Sequence, residues 1–191
     1  MGGRLVRPFC IKGESQPLPC KIQILPYDAR WPELFQREAE RIRTVLGAQA
    51  LRIEHTGSTS VPGLAAKPVI DILLVVTDSS KEDLYRPALE TTGYVLRIRE
   101  ADWYEHRMFN GPDTAVNLHV FSAGCPEIHR ILAFRDWLRN NPGDRDLYAR
   151  TKLMLAQTEW RDVQEYADAK TAIVKEILGR ALLASRASVD R

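Results

Sequence analysis

The sequence predicts an α/β chain of the α+β kind, a mixed β-sheet core followed by a helical C-terminal part. Three observations predict it. Val69-Ile70-Asp71-Ile72-Leu73-Leu74-Val75-Val76 is nearly all apolar, the pattern of a central strand covered on both faces. His106–Phe109 and Val116–Phe121 flank the turn Asn110-Gly111-Pro112-Asp113, which reads as an antiparallel pair. From Pro126 onward strand signals stop and apolar residues recur at helical spacing. The 191 residues suit one domain, divided into a tail over 1–20 and a domain over 21–185, with its core over about 21–124 and its helical part over about 125–185.

The elements follow in order. Residues 1–20 carry Gly2, Gly3, Pro8, Gly13, Pro17 and Pro19 without periodicity, as a tail or extended arm does. Ile22–Leu25 reads as a short strand ended by Pro26. Asp28 to Gly47 reads as a helix: Pro32 falls in the first turn, where its missing N–H costs little, and Leu34, Phe35, Ala39, Ile42, Val45 and Leu46 share a face. Leu51–His55 is a strand candidate with Leu51 and Ile53 on one side. Ser79 to Thr92 reads as a helix with Ser79 and Glu82 as a capping box, and Pro87 inside it predicts a kink or a split. Tyr94–Ile98 is a further strand candidate. Helices are expected at about 126–140, 144–158 and 162–184, the first two separated by Asn141-Pro142-Gly143-Asp144.

Composition excludes several classes. Twenty-seven Lys and Arg against 25 Asp and Glu leave +2, too little for bulk electrostatic capture of nucleic acid, and Trp31, Trp103, Trp137 and Trp160 are too scattered for a base-stacking platform. Any polyanion must be met by a local cluster of cations. No run of about 18 apolar residues predicts a membrane span, and the first ten residues lack a signal-peptide core. Three cysteines without a CxxC pair fit a reducing, cytoplasmic setting and inert thiols. Monomer and dimer remain open.

Chemistry concentrates between residues 55 and 71. His55 precedes a loop with Gly57, Ser58, Thr59, Ser60, Gly63 and Lys67. Glycines let the backbone approach a ligand, and hydroxyls with free N–H groups cradle phosphate oxygens. The order of a Walker A loop is absent. Asp71 interrupts an otherwise apolar strand, so it must be hydrogen-bonded or face a cation. Further cations point to an anionic ligand: Arg107 on a strand candidate, and Arg135, Lys152 and Lys170 on three successive C-terminal helices. Tyr148 and Tyr166 each stand four residues before a lysine, on the same helical face. His106 and His129 read as surface or interface residues.

The run IEHTGSTSVPGLAAKPVIDILL, residues 53–74, closely resembles the signature of the GrpB family, a divergent branch of the DNA polymerase beta-like nucleotidyltransferase superfamily. Gly93-Tyr94, Asn117-Leu118-His119-Val120, the stretch Leu132–Arg139, Tyr148 with Lys152 and Tyr166 with Lys170 resemble family landmarks in the expected order, over roughly 21–180. The resemblance implies a nucleotidyltransferase-like core. In that superfamily a Gly-Ser pair holds nucleotide phosphates, two carboxylates at i and i+2 on a strand bind divalent metal, and a third comes from a later strand. Gly57-Ser58 matches the pair and Asp71 the first carboxylate, but Leu73 stands in the second slot and His119 in the third.

The resemblance therefore implies nucleotidyl transfer from a nucleoside triphosphate to a small-molecule acceptor, or ATP-dependent activation of one. Asp71, His119 and Lys67 would be catalytic. Gly57, Ser58, Thr59, Ser60, His55, Arg107, Arg135, Tyr148, Lys152 and Lys170 would bind phosphate or ligand, and Asp71 with His119 would hold Mg2+. Two alternatives stand beside it: a catalytically inactive ligand-binding or stabilising domain of the same fold, motivated by Leu73, and an ATP-dependent ligase-like condensation of a carboxylate with an amine.

Overall fold

The structure, a computed structural model, describes residues 21–189, so the tail expected over 1–20, with Cys10 and Cys20, lies outside the described residues. The first helix, α1, is Trp31–Leu46, with Pro32 in its opening turn. Its stripe of Trp31, Phe35, Ala39, Ile42 and Leu46 is buried, as the spacing requires. Strands β1 (Arg52–Thr56) and β2 (Ile70–Val76) follow, then the short helix α2 (Arg86–Thr91) and strands β3 (Val95–Glu100), β4 (His106–Asn110) and β5 (Val116–Ser122). The C-terminal part holds α3 (Pro126–Asn140), α4 (Pro142–Leu155), α5 (Val163–Ala169) and α6 (Thr171–Val189).

The five strands form one mixed sheet in the order β1-β2-β5-β4-β3, in which β2 and β5 run parallel and the other neighbours antiparallel. Helices pack on both sides of the sheet at β2, so both its faces are covered. Ile70, Ile72, Leu74 and Val76 pack under α1 and α2, while Leu73 and Val75 join Phe121 and Leu132 beneath α3. Val61 and Leu64, from the loop between β1 and β2, pack with Leu138 of α3, Tyr148 of α4 and Ile177 of α6. That contact ties the helical part to the loop that carries the chemistry. Among the described residues no helix is long and apolar enough to cross a membrane.

Three element expectations are corrected. Ile22–Leu25 is no strand, since only Leu25 bridges, to Ala66. The Ser79–Thr92 helix splits, as Pro87 predicts, and Pro87 lies in the opening turn of α2, where its absent N–H is harmless; what is corrected is the cap. Ser79 does not cap it; the Ser79 N–H donates to Ser122 Oγ and the Tyr85 hydroxyl donates to the Ser79 carbonyl. The 162–184 helix breaks at Lys170, which caps α5 and precedes α6. No glycine or proline marks that break, so packing of α6 on α3 and α4 overrides local propensity there.

Candidate anion-binding hollow

The loop after β1 turns at Gly57 with φ +65°, a conformation open to glycine. A Cβ built there would collide with Oδ2 of Asp71 and lie 2.9 Å from its Cγ. The glycine thus lets the backbone lie directly against the carboxylate. Ser58–Ser60 then form one short turn of 3-10 helix. The antiparallel register Thr56↔Asp71 brings the two ends of the loop together, and the Thr56 hydroxyl donates to the Asp71 carbonyl.

On the other side, the parallel register Asp71↔Asn117 sets an amide beside the carboxylate. Asn110 Nδ2 donates to Asn117 Oδ1 at 3.2 Å, and Asn117 Nδ2 donates to Asp71 Oδ1 at 3.1 Å. The first bond fixes which end of the Asn117 amide meets Asp71. His119, two residues along the same face, has Nε2 3.9 Å from Asp71 Oδ1. Behind it, His106 Nε2 lies 3.0 Å from His119 Nδ1, and His106 Nδ1 lies 2.9 Å from Glu100 Oε2. Burial lowers both imidazoles, His119 to about 3, so they are neutral at pH 7. A carboxylate only accepts, so His106 Nδ1–H donates to Glu100, His119 Nδ1–H donates to His106, and His119 Nε2 keeps its lone pair on the Asp71 side.

The C-terminal part brings cations. Lys152 Nζ donates to Ser58 Oγ at 2.9 Å and to the Ala65 carbonyl, 4.6 Å from the Tyr148 ring centroid. Lys170 Nζ lies 4.4 Å from the Tyr166 centroid. Burial pushes Lys152 down to about 7, helped by the charge of Lys170, and Lys170 down to about 8. Burial likewise raises Asp71 to about 6, against the pull of Asn117 and the charges of Lys170, Lys67 and Lys152. These groups line a cavity of about 460 Å³, a size suited to a small organic ligand. Gly57, Ser58, Lys67, Asp71, Asn117, His119, Arg135, Tyr148, Lys152, Tyr166 and Lys170 border its polar part, and Trp103, Met108, Phe121, Ile131 and Phe134 its apolar part.

Other expected site residues lie elsewhere. His55 faces α1, stacked on Phe35 with ring centroids 4.8 Å apart, and bonded to Thr59. Thr59 is buried and its hydroxyl donates to the Val69 carbonyl. Ser60 turns its hydroxyl back to the Gly57 carbonyl. These three shape the loop and do not line the cavity. Arg107 is on the opposite face of the sheet, where Glu82 and Glu105 hold it, because residues adjacent in β4 point to opposite sides. Arg135 borders the cavity but is bound to Glu54, Asp136 and the His55 carbonyl. His106, expected at the surface, is buried, while His129 is exposed. Asn117 and Glu100 join the site without a sequence signal, because their placement depends on strand pairing, which the sequence does not display.

The donors do not fit the two-metal arrangement that the resemblance implies. Leu73 is fully buried among Val75, Phe121 and Leu132. Asn117 turns an N–H toward Asp71 rather than an oxygen toward the cavity. Among the described residues no group of three His, Cys, Asp or Glu side chains could hold a metal ion. A hard cation would share one carboxylate with three ammonium groups.

An α+β domain with a lysine-lined hollow between sheet and helices is the class that fold and site define. A family model described as GrpB protein matches residues 21–180, and the chain belongs to that family. It is 66% identical over 169 residues to the UPF0157 protein BH1888 of Halalkalibacterium halodurans, covering 88% of this chain and 87% of that one. The crystal structure of the conserved protein GrpB from Enterococcus faecalis is similar with a TM-score of 0.77 and 34% identity, covering 85% of this chain and 99% of that one. A structure of the GLD-2/RNP-8 complex shares the fold alone, at a TM-score of 0.53 and 11% identity over 78% of this chain and 60% of that one.

Proposed function

We propose that the hollow binds a nucleoside triphosphate and that the protein transfers its nucleotidyl group to a small-molecule acceptor. The observation that carries this reading is the convergence, on one cavity, of the Gly57-Ser58 turn with Lys67, Lys152 and Lys170 around Asp71. The Gly57-Ser58 backbone and the Ser58 hydroxyl take phosphate oxygens, and the lysines stabilise the charge that collects on the leaving pyrophosphate. The apolar part, with Trp103, Phe121 and Phe134, receives the base or the acceptor. In the transfer, the acceptor's oxygen or nitrogen forms a bond to the α-phosphorus, the α–β anhydride breaks and pyrophosphate departs. The proton from the acceptor passes to the Asp71 carboxylate, which burial raises to about 6, a value suited to a base near neutral pH, with neutral His119 beside it. Mg2+ has no place of its own in this reading, because the donor set around Asp71 does not fit it.

Calorimetric titration with ATP and GTP tests binding. A pyrophosphate-release assay with pooled hydroxyl- and amine-bearing metabolites tests transfer. Binding at millimolar nucleotide and release lost in Asp71→Asn are expected; no heat with either nucleotide overturns the reading. A second reading is favoured by buried Leu73, which stands where a second carboxylate would: a ligand-binding domain without turnover. It predicts binding without pyrophosphate release from any acceptor.

A further inference from the structure

The charges facing the hollow are unequally paired. Arg135 is ion-paired with Glu54 and Asp136, and Arg130 lies 3.2 Å from Glu127 as an ion pair. Lys67, Lys152 and Lys170 make no ion pair with a carboxylate among the described residues. Lys152 gives two of its three protons to Ser58 and Ala65, and the side chains of Lys67 and Lys170 make no hydrogen bond to a described residue. Among the described residues Asp71 and Glu127 are the carboxylates on the cavity wall, and Asp71 Oδ1 is already held by the Asn110–Asn117 amide chain. Three lysines against Asp71 leave the hollow positive, while a divalent cation beside Asp71 would find one carboxylate and one imidazole, the Glu127 carboxylate being paired with Arg130.

We propose that the hollow binds phosphate groups as the metal-free anion, with Lys67, Lys152 and Lys170 standing where phosphoryl-transfer sites ordinarily place divalent cations. This rests on the phosphate-binding half of the proposed function and not on the transfer step. It has a consequence for Asp71. Where a carboxylate ligates a bridging cation, its loss weakens phosphate binding. Here the carboxylate is a like charge beside the phosphate, and its neutralisation strengthens binding. Asparagine keeps an oxygen to accept from Asn117, so the fold is preserved.

The test is calorimetric titration of the whole chain with inorganic tripolyphosphate and, separately, ATP, each with excess EDTA and with millimolar Mg2+. Tripolyphosphate is expected to bind as tightly in EDTA as in Mg2+, or tighter. Asp71→Asn is expected to bind it severalfold tighter, and Lys67→Gln, an exposed change, roughly tenfold weaker. Binding that needs Mg2+, or that falls tenfold in Asp71→Asn with an unchanged melting temperature, overturns the inference. Tripolyphosphate binding in EDTA without ATP binding supports it and overturns the nucleotide reading. No binding of either probe overturns both.

Discussion

Gly57 and Asp71 are residues whose placement the sequence announces, one by its loop and one as the acid in an apolar strand. The positive φ and the close approach show why both are needed. Gly57→Ala must displace the carboxylate and strain the turn, so it is expected to cost about 1–3 kcal/mol in urea unfolding and to weaken tripolyphosphate binding. The buried imidazoles set the acid behaviour. Burial holds His55 at about 4 and His119 at about 3, below their unfolded value. Their contribution is complete above about pH 6.5 and is lost as pH falls through that window. Each loses about 2 kcal/mol between pH 7.5 and pH 5. Asp71 opposes them, because its folded pKa is raised to about 6 and the strain of its charge is relieved as pH drops below that value. A net loss of stability is expected at pH 5, and His55→Phe, which keeps the stack on Phe35, is expected to flatten the slope. A pH-independent unfolding midpoint over that range contradicts this.

At the scale of elements, periodicity revealed the long ones. The α1 stripe, the apolar run of β2 and the β4–β5 pair appear where the pattern puts them, because burial on a fixed face leaves a period in the sequence. What pairing and packing decide was not legible. Arg107 and His119 look alike as polar residues on strands, yet their faces differ. The break at Lys170 depends on helices that meet only in the fold. It gives α5 its own start, where the Asp162 side chain accepts from the Glu165 N–H. That cap orders the short helix carrying buried Tyr166, whose hydroxyl has no hydrogen-bond partner among the described residues. Asp162→Ala is expected to cost about 1 kcal/mol and to weaken tripolyphosphate binding by a few-fold; unchanged affinity would separate α5 from the site.

For the whole molecule, the hollow lies between two packed bodies of side chains. The sheet contributes Asp71, Asn117 and His119, the loop Gly57, Ser58 and Lys67, and the helical part Lys152 and Lys170. An anion held there links them, so it is expected to slow amide exchange across α4 and α5 as well as the 57–60 turn, and to raise stability by about 2.7 kcal/mol at a hundredfold excess over Kd. Exchange slowed at one side only would place the anion elsewhere. The most direct measurement is a crystal structure of the protein soaked with ATP in EDTA. Phosphate density is expected against the Gly57-Ser58 turn, within hydrogen-bond reach of Lys152 Nζ and Lys170 Nζ. Phosphates ordered away from those lysines, or a hollow with no nucleotide at saturating ATP, would contradict this expectation.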